Sequence, residues 1–158
     1  MKGGRVMVYH ASGRVVELPV IRKSKYKKDF SWGFYCIDDF EQAKRWARRN
    51  IEFPTINYYS FKENSNLKIL KFDEMNNQWL DFIADCRKGI IHSYDIVQGP
   101  MVDDTVWNYV NDFLEGYISR NAFWELVKFK SPVHQISFHT IKALDCLRFE
   151  KSEIVDEI

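Results

Sequence analysis

The order in which strand-like and helix-like runs follow one another constrains this chain more than any other feature. β-Branched and aromatic runs at 6–10 (VMVYH), 33–37 (GFYCI), 56–61, 67–72, 94–97 and 135–139 (QISFH) read as short strands. Helical spacing of apolar residues marks 40–50 and 76–87, a run carrying Trp107, Val110, Phe113 and Leu114, the run 120–128, and a short piece after Thr140. Asp39 with Gln42 three residues on reads as a helix start, Ser119 and Thr140 as further caps, and Gly89 and Gly116 as stops. Strands follow strands twice before a helix intervenes. A doubly wound parallel sheet needs regular alternation, so the expected class is α+β with a mixed sheet. The turn Glu63-Asn64-Ser65-Asn66 predicts that 56–61 and 67–72 pair as a hairpin. The segment 14–19 reads as extended, and 148–158 as a last edge strand running into a charged tail.

A chain of 158 residues without repeats, low-complexity tracts or Pro/Gly/Ser linkers is expected to be one domain, 1–158. At this size roughly 70% of the unfolded surface is buried, so neither disulfide nor metal is needed for folding. Aromatic residues at 16% imply a dense core, a stacking site, or both. Lys plus Arg is 23 against 22 for Asp plus Glu, and the net charge of +1 excludes bulk attraction to nucleic acid or membrane. The exception is local. In 22–28 (RKSKYKK), five of seven residues are basic, which reads either as a solvated loop or as a phosphate grip with Tyr26 as a stacking ring. Cys36, Cys86 and Cys146 form no CxxC pair and sit in apolar patterns, as reduced thiols of a cytoplasmic protein do. The N-terminal MKGGRVMVYH lacks the apolar run of a secretory signal, and no apolar stretch is long enough to span a membrane.

Several chemistries lack their signatures. There is no GxGxxG after a strand, no P-loop, no HExxH and no GxSxG. His134 and His139 are five apart, on opposite faces of a strand, and have no ligand-spaced partner, so no metal site is expected. What remains is a set of three strands. Tyr9-His10-Ala11-Ser12 delivers a histidine to a turn; Gly33-Phe34-Tyr35 feeds a helix through Asp38-Asp39; Gln135-Ile136-Ser137-Phe138 lies near the C-terminus. Singly, each also reads as structure: a hydrogen-bonded core histidine, a half-buried strand tyrosine, an edge glutamine.

Together and in this order, the three motifs resemble those of the ADP-ribosyltransferase superfamily, in its His-Tyr-Glu branch of diphtheria-toxin-like and poly(ADP-ribose) polymerase-like domains. Over nearly its whole length the chain also resembles a bacterial family, domain of unknown function 3990. That likeness rests on YHAS, KDFSWGFYCIDDFEQAKRWA, LKILKFDEMNNQWLDFIADCRKG, YDIVQGPMVDD and HQISFHTIKALDCLRF. The resemblance implies a split mixed sheet with flanking helices, its two halves facing across a cleft that takes NAD. It implies that His10, Tyr35 and Gln135 form the catalytic set. His10, Ala11, Ser12, Gly33, Phe34 and Tyr35 would bind NAD, with His10 and Ser12 on the adenosine-side ribose and Tyr35 stacked on nicotinamide. Arg22, Lys23, Lys25, Lys27 and Lys28 are the candidates for the pyrophosphate.

Two positions depart from the superfamily pattern: Ala11 stands where Gly is usual, and Gln135 where the catalytic Glu is usual. An amide can hydrogen-bond a ribose hydroxyl but carries no charge, so the second departure bears on catalysis rather than on NAD binding. Glu150 and Glu153 are further carboxylates near the end of the chain. The implied activity is transfer of ADP-ribose from NAD to a macromolecule, protein or nucleic acid, in a toxin, an effector, a toxin–antitoxin pair with a cognate antitoxin, or a phage-defence protein. The alternatives are a non-catalytic member of the same fold that binds NAD, ADP-ribose or a partner, and a small nucleic-acid-binding protein that uses 22–28.

Overall fold

In the computed structural model, residues 4–23 and 29–157 are described. Their strands are β1 (Val6–Ser12), β2 (Phe34–Ile37), β3 (Thr55–Phe61), β4 (Ile69–Lys71), β5 (Ile96–Pro100), β6 (His134–Phe138) and β7 (Leu147–Ile154). The helices are α1 (Phe40–Asn50), α2 (Asn77–Arg87), α3 (Asp104–Leu114), α4 (Arg120–Val127) and α5 (Ile141–Leu144). The class is α+β, and the strands form one mixed sheet in the order β4-β5-β6-β2-β1-β3-β7. Only β4 and β5 run parallel; the other pairs are antiparallel.

Local chemistry sets the helix starts. Asp39 accepts from Gln42 N–H at 2.9 Å, Ser119 from Ala122 N–H at 3.0 Å and Thr140 from Ala143 N–H at 3.1 Å. Each bond satisfies a backbone donor that the first turn would otherwise leave unpaired. Asn76 does the same for α2 through Trp79 N–H at 2.8 Å. After α2 and α3 the chain turns through Gly89 and Gly116, at φ 94° and 80°, a region open to glycine at little cost.

The expected hairpin of 56–61 with 67–72 does not form. β3 has both edges occupied, by β1 on one side and β7 on the other, and β4 instead pairs in parallel with β5 at the far edge of the sheet. A turn of the right composition cannot create an edge that other strands already fill. The strand 94–97 also runs on, with Gly99 and Pro100 inside β5.

The sheet is strongly curved. β3 and β6 are three strand spacings apart, about 14 Å if flat, yet Phe61 and Phe138 rings meet at 5.3 Å. Val8, Phe34, Tyr59, Phe61, Ile96, Ile136 and Phe138 fill the concave side between the two halves. On the other side, α2, α3 and α4 pack Trp79, Leu80, Ile83, Val106, Val110 and Phe123 against Phe30 and Val97. α1 covers the β1–β3 half through Ala43 and Ala47 against Ile37, Ile56 and Tyr58. Each large side chain buried this way contributes roughly 1.5–3 kcal/mol. Among the described residues no helix is long and apolar enough to cross a membrane.

Candidate active-site cleft between β1 and β2

The two halves of the sheet meet at β1 and β2, and their junction is weak. β1 pairs with β3 from Val6 opposite Phe61 to Ser12 opposite Thr55, but it pairs with β2 at one position, Tyr9 opposite Ile37. Continuing that register would set Ala11 opposite Tyr35. Instead the strands separate, and His10 fills the gap: its Nδ1 lies 2.7 Å from the Tyr35 carbonyl, and its ring stacks on Phe34 at 4.2 Å. A carbonyl oxygen only accepts, so Nδ1 carries the proton and Nε2 is the ring's second functional nitrogen.

A cleft of about 620 Å³ opens beside this split, within the range of small-molecule and cofactor sites. His10, Ala11, Tyr35 and Gln135 line it, so the structure brings together residues from three distant stretches of sequence. Asp29, Trp46, Arg49 and Trp107 also line it. Ser12, Gly33 and Phe34 are not among the lining residues. Ser12 ends β1, where its hydroxyl lies 3.4 Å from Arg14 N–H. Phe34 is buried beneath His10. Gly33 serves packing, because a Cβ there would lie 2.8 Å from His139 Nδ1 and 2.9 Å from the Phe138 carbonyl. A second hollow, of about 710 Å³, is lined by Val6, Val8, Ile69 and Ile136 with Asp38, Glu63 and Asp73; it shares Gln135 with the first but touches neither His10 nor Tyr35.

Tyr35 is tied to the loop before its own strand. Its hydroxyl accepts from Phe30 N–H at 3.0 Å and donates to the Ser31 carbonyl. Burial, with the nearby Asp29 charge second, pushes the phenol well above its ordinary pKa, so it remains the protonated donor this arrangement needs. The loop takes three further side-chain anchors. His92 donates from Nε2 to the Phe30 carbonyl at 2.8 Å, and His139 donates from Nδ1 to the Trp32 carbonyl at 2.8 Å. Asp29 accepts from Val102 N–H at 2.7 Å. With its backbone held at so many points, the loop sustains Ser31 at φ 78°, an uncommon conformation for a residue with a Cβ.

Gln135, 6% exposed, lies on β6 opposite Ile37 and Gly99, and its Nε2 donates to Asp29 Oδ2 at 2.8 Å. Glu150 and Glu153 are elsewhere. They lie on β7, four strands from β6, where Glu150 accepts from Ser60 and Glu153 from Tyr58 and Lys151. Neither lines the cleft. Of the basic stretch, residues 24–28 lie outside the described residues, so Lys25, Tyr26, Lys27 and Lys28 are not placed. Lys23 sits over the Trp32 ring at 5.6 Å. Among the described residues, the Lys or Arg that lines the cleft is Arg49, in the last turn of α1.

Residues without a sequence signal complete the frame. Asn57, fully buried on β3, accepts from Val16 N–H at 2.8 Å and donates to the His10 and Arg14 carbonyls at 3.3 and 3.1 Å. It thereby fixes the chain on both sides of Ala11-Ser12. Cys36 and Cys86 are buried, and burial raises the Cys36 thiol well above its usual pKa, so it is no nucleophile. Among the described residues no group of three or more His, Cys, Asp or Glu is placed to hold a metal ion.

A family model described as "Protein of unknown function (DUF3990)" matches residues 6–149. No curated protein and no solved structure matches the chain.

Proposed function

We propose that this chain, which belongs to the DUF3990 family of proteins of unknown function, binds NAD in the cleft at the β1–β2 split and transfers its ADP-ribose to a macromolecule. The observation that carries the reading is convergence. His10, Tyr35 and Gln135 come from three separate strands, and they line one cleft at the one place where the sheet is nearly unpaired.

The chemistry is cleavage of the bond between the nicotinamide nitrogen and ribose C1′. The bonding pair leaves with neutral nicotinamide, C1′ passes through an oxocarbenium-like state, and an acceptor nucleophile bonds to C1′ as it gives up its proton. Such a site must hold the leaving group, orient the ribose and stabilise positive charge. His10 lines the cleft with its ring held through Nδ1 on the Tyr35 carbonyl, and the resemblance gives it a ribose hydroxyl to bind. Ala11 brings β1 backbone to the cleft wall, and the Tyr35 ring forms part of the same wall. Arg49 supplies a cation for the pyrophosphate from α1, in addition to the candidates of 22–28. Trp46 and Trp107 offer aromatic surface for a flat base.

Calorimetric titration with NAD, paired with a nicotinamide-release assay, tests the proposal. The wild type is expected to bind NAD and release nicotinamide. His10→Ala is expected to weaken binding about tenfold, the equivalent of one good hydrogen bond. Failure of the folded wild type to bind NAD would sink the proposal. The neutral amide of Gln135 favours a second reading, NAD binding without turnover; binding with no nicotinamide release in the presence of a cell extract as acceptor source would select it.

A further inference from the structure

Among the described residues three carboxylates line the cleft, Asp29, Asp103 and Asp104, none at the position where the resemblance seeks one, and Asp29 is the one bonded to Gln135. Asp29 is 7% exposed, lines the cleft, and accepts through Oδ2 from both Val102 N–H (2.7 Å) and Gln135 Nε2 (2.8 Å). A carboxylate only accepts, so it forces Gln135 to turn its NH₂ toward Asp29 and its oxygen Oε1 the other way. Among the described residues nothing donates to that oxygen, which makes it the acceptor Gln135 offers to the cleft it lines.

We infer that Asp29 is the anionic positioning residue of this site. It fixes the Gln135 amide with Oε1 outward to accept a ribose hydroxyl, and it keeps a negative charge one hydrogen bond behind the amide. The inference rests on the NAD reading above. Asp29 and Gln135 together then do what a single glutamate would do at 135: the amide makes the contact, and the carboxylate behind it polarises that contact and supplies the field.

This assignment makes an unusual demand on mutants. Gln135→Glu on its own does not restore a conventional site. It places two carboxylates at hydrogen-bond distance, where both cannot stay ionised. The gain requires Asp29→Asn as well. In that double variant the repulsion between two carboxylates is gone. One atom of residue 29, Oδ2, meets both Val102 N–H and Gln135, so the amide atom placed there either accepts from Val102 N–H as oxygen or donates to the carboxylate at 135 as NH₂.

The test is a four-protein cycle of wild type, Asp29→Asn, Gln135→Glu and the double variant. Each is measured for thermal midpoint without NAD at pH 7.5 and pH 5, for NAD affinity, and for kcat and KM of nicotinamide release. Asp29→Asn, which can still accept both hydrogen bonds, is expected to stay folded and to lose about tenfold or more in kcat with little change in KM. Gln135→Glu is expected to melt below wild type at pH 7.5 and to recover at pH 5, where the pair shares a proton. The double variant is expected to melt above Gln135→Glu at pH 7.5, because the charge repulsion is gone, and to regain kcat. An unchanged kcat in Asp29→Asn, or midpoints that simply add around the cycle, would overturn the inference while leaving NAD binding by the wild type intact. Loss of the NAD reading would look different: no affinity in any of the four, including the wild type.

Discussion

Acid should loosen the loop that frames the cleft, and the size of the effect follows from two histidines. His139 Nδ1 donates to the Trp32 carbonyl, and its Nε2 lies 2.7 Å from Ser137 Oγ. His92 donates from Nε2 to the Phe30 carbonyl and accepts at Nδ1 from Tyr94 N–H at 3.0 Å. The rings meet edge to face at 4.4 Å, so a proton on either is felt by the other. Burial is the main cause lowering the His139 pKa from 6.5 to about 4; the bond to Trp32 opposes the shift, and the His92 charge adds to it. His92 is lowered as well, again by burial first. A histidine whose folded pKa lies below its unfolded value binds fewer protons folded than unfolded. Its contribution is therefore complete above pH 6.5 and is lost as pH falls toward 4. A shift from 6.5 to about 4 for His139 corresponds to about 3 kcal/mol. Urea unfolding of wild type and His139→Gln across this range isolates the term, because the other titrating groups largely cancel in the difference. The stability advantage of wild type over His139→Gln should shrink by about 3 kcal/mol between pH 7.5 and pH 4. An advantage that stays constant with pH would refute the neutral, buried state argued for this ring.

Gly33→Ala should cost about 1–3 kcal/mol, since its Cβ would press on His139 and on the Phe138 backbone, neither of which is a free side-chain end; an unchanged thermal midpoint would show that the loop has slack the structure does not display. Asn57→Ala should cost about 2–3 kcal/mol by stranding the Val16 N–H and two carbonyls. It should also weaken NAD binding, because the His10 segment loses its anchor; urea melts and calorimetry on one preparation read both, and loss of stability with full NAD affinity would separate Asn57 from the site.

What the sequence makes legible is what depends on neighbours in sequence. The α1 span and the Asp39, Ser119 and Thr140 caps appear as expected, because a cap is decided within three or four residues. The helix face of Trp79, Leu80, Ile83 and Cys86 is buried as its spacing requires. Strand pairing is not local. The segment Glu63-Asn64-Ser65-Asn66 has turn composition, yet whether 56–61 and 67–72 pair depends on which strands have already taken the edges of β3, and those are β1 and the much later β7. The site divides along the same line. His10, Tyr35 and Gln135 sit in recognisable strand contexts and do share a cleft. Asp29 precedes the recognisable strand by several residues, and only the β6 register brings Gln135 onto it. Asn57, His92 and His139 carry no spacing signal for this role, because the backbone groups they anchor around the site, at Val16, His10, Arg14, Phe30 and Trp32, lie far away in the chain.

The geometry also changes how a Tyr35 variant must be read. Tyr35 holds the site in two ways: its carbonyl fixes the His10 ring, and its hydroxyl fixes the backbone of Phe30 and Ser31. The carbonyl survives any substitution, whereas the hydroxyl does not. Tyr35→Ala removes the ring from the cleft wall and the loop anchor together, so its loss of activity says nothing about stacking. Tyr35→Phe keeps the ring and strands the Phe30 N–H and the Ser31 carbonyl, at about 1–3 kcal/mol. If the ring contacts nicotinamide, Tyr35→Phe should lose stability yet keep NAD affinity to within a few-fold, and Tyr35→Ala should lose both. Equal loss of affinity in the two variants would assign Tyr35 to holding the 29–33 loop, and the nicotinamide contact would have to come from elsewhere in the cleft.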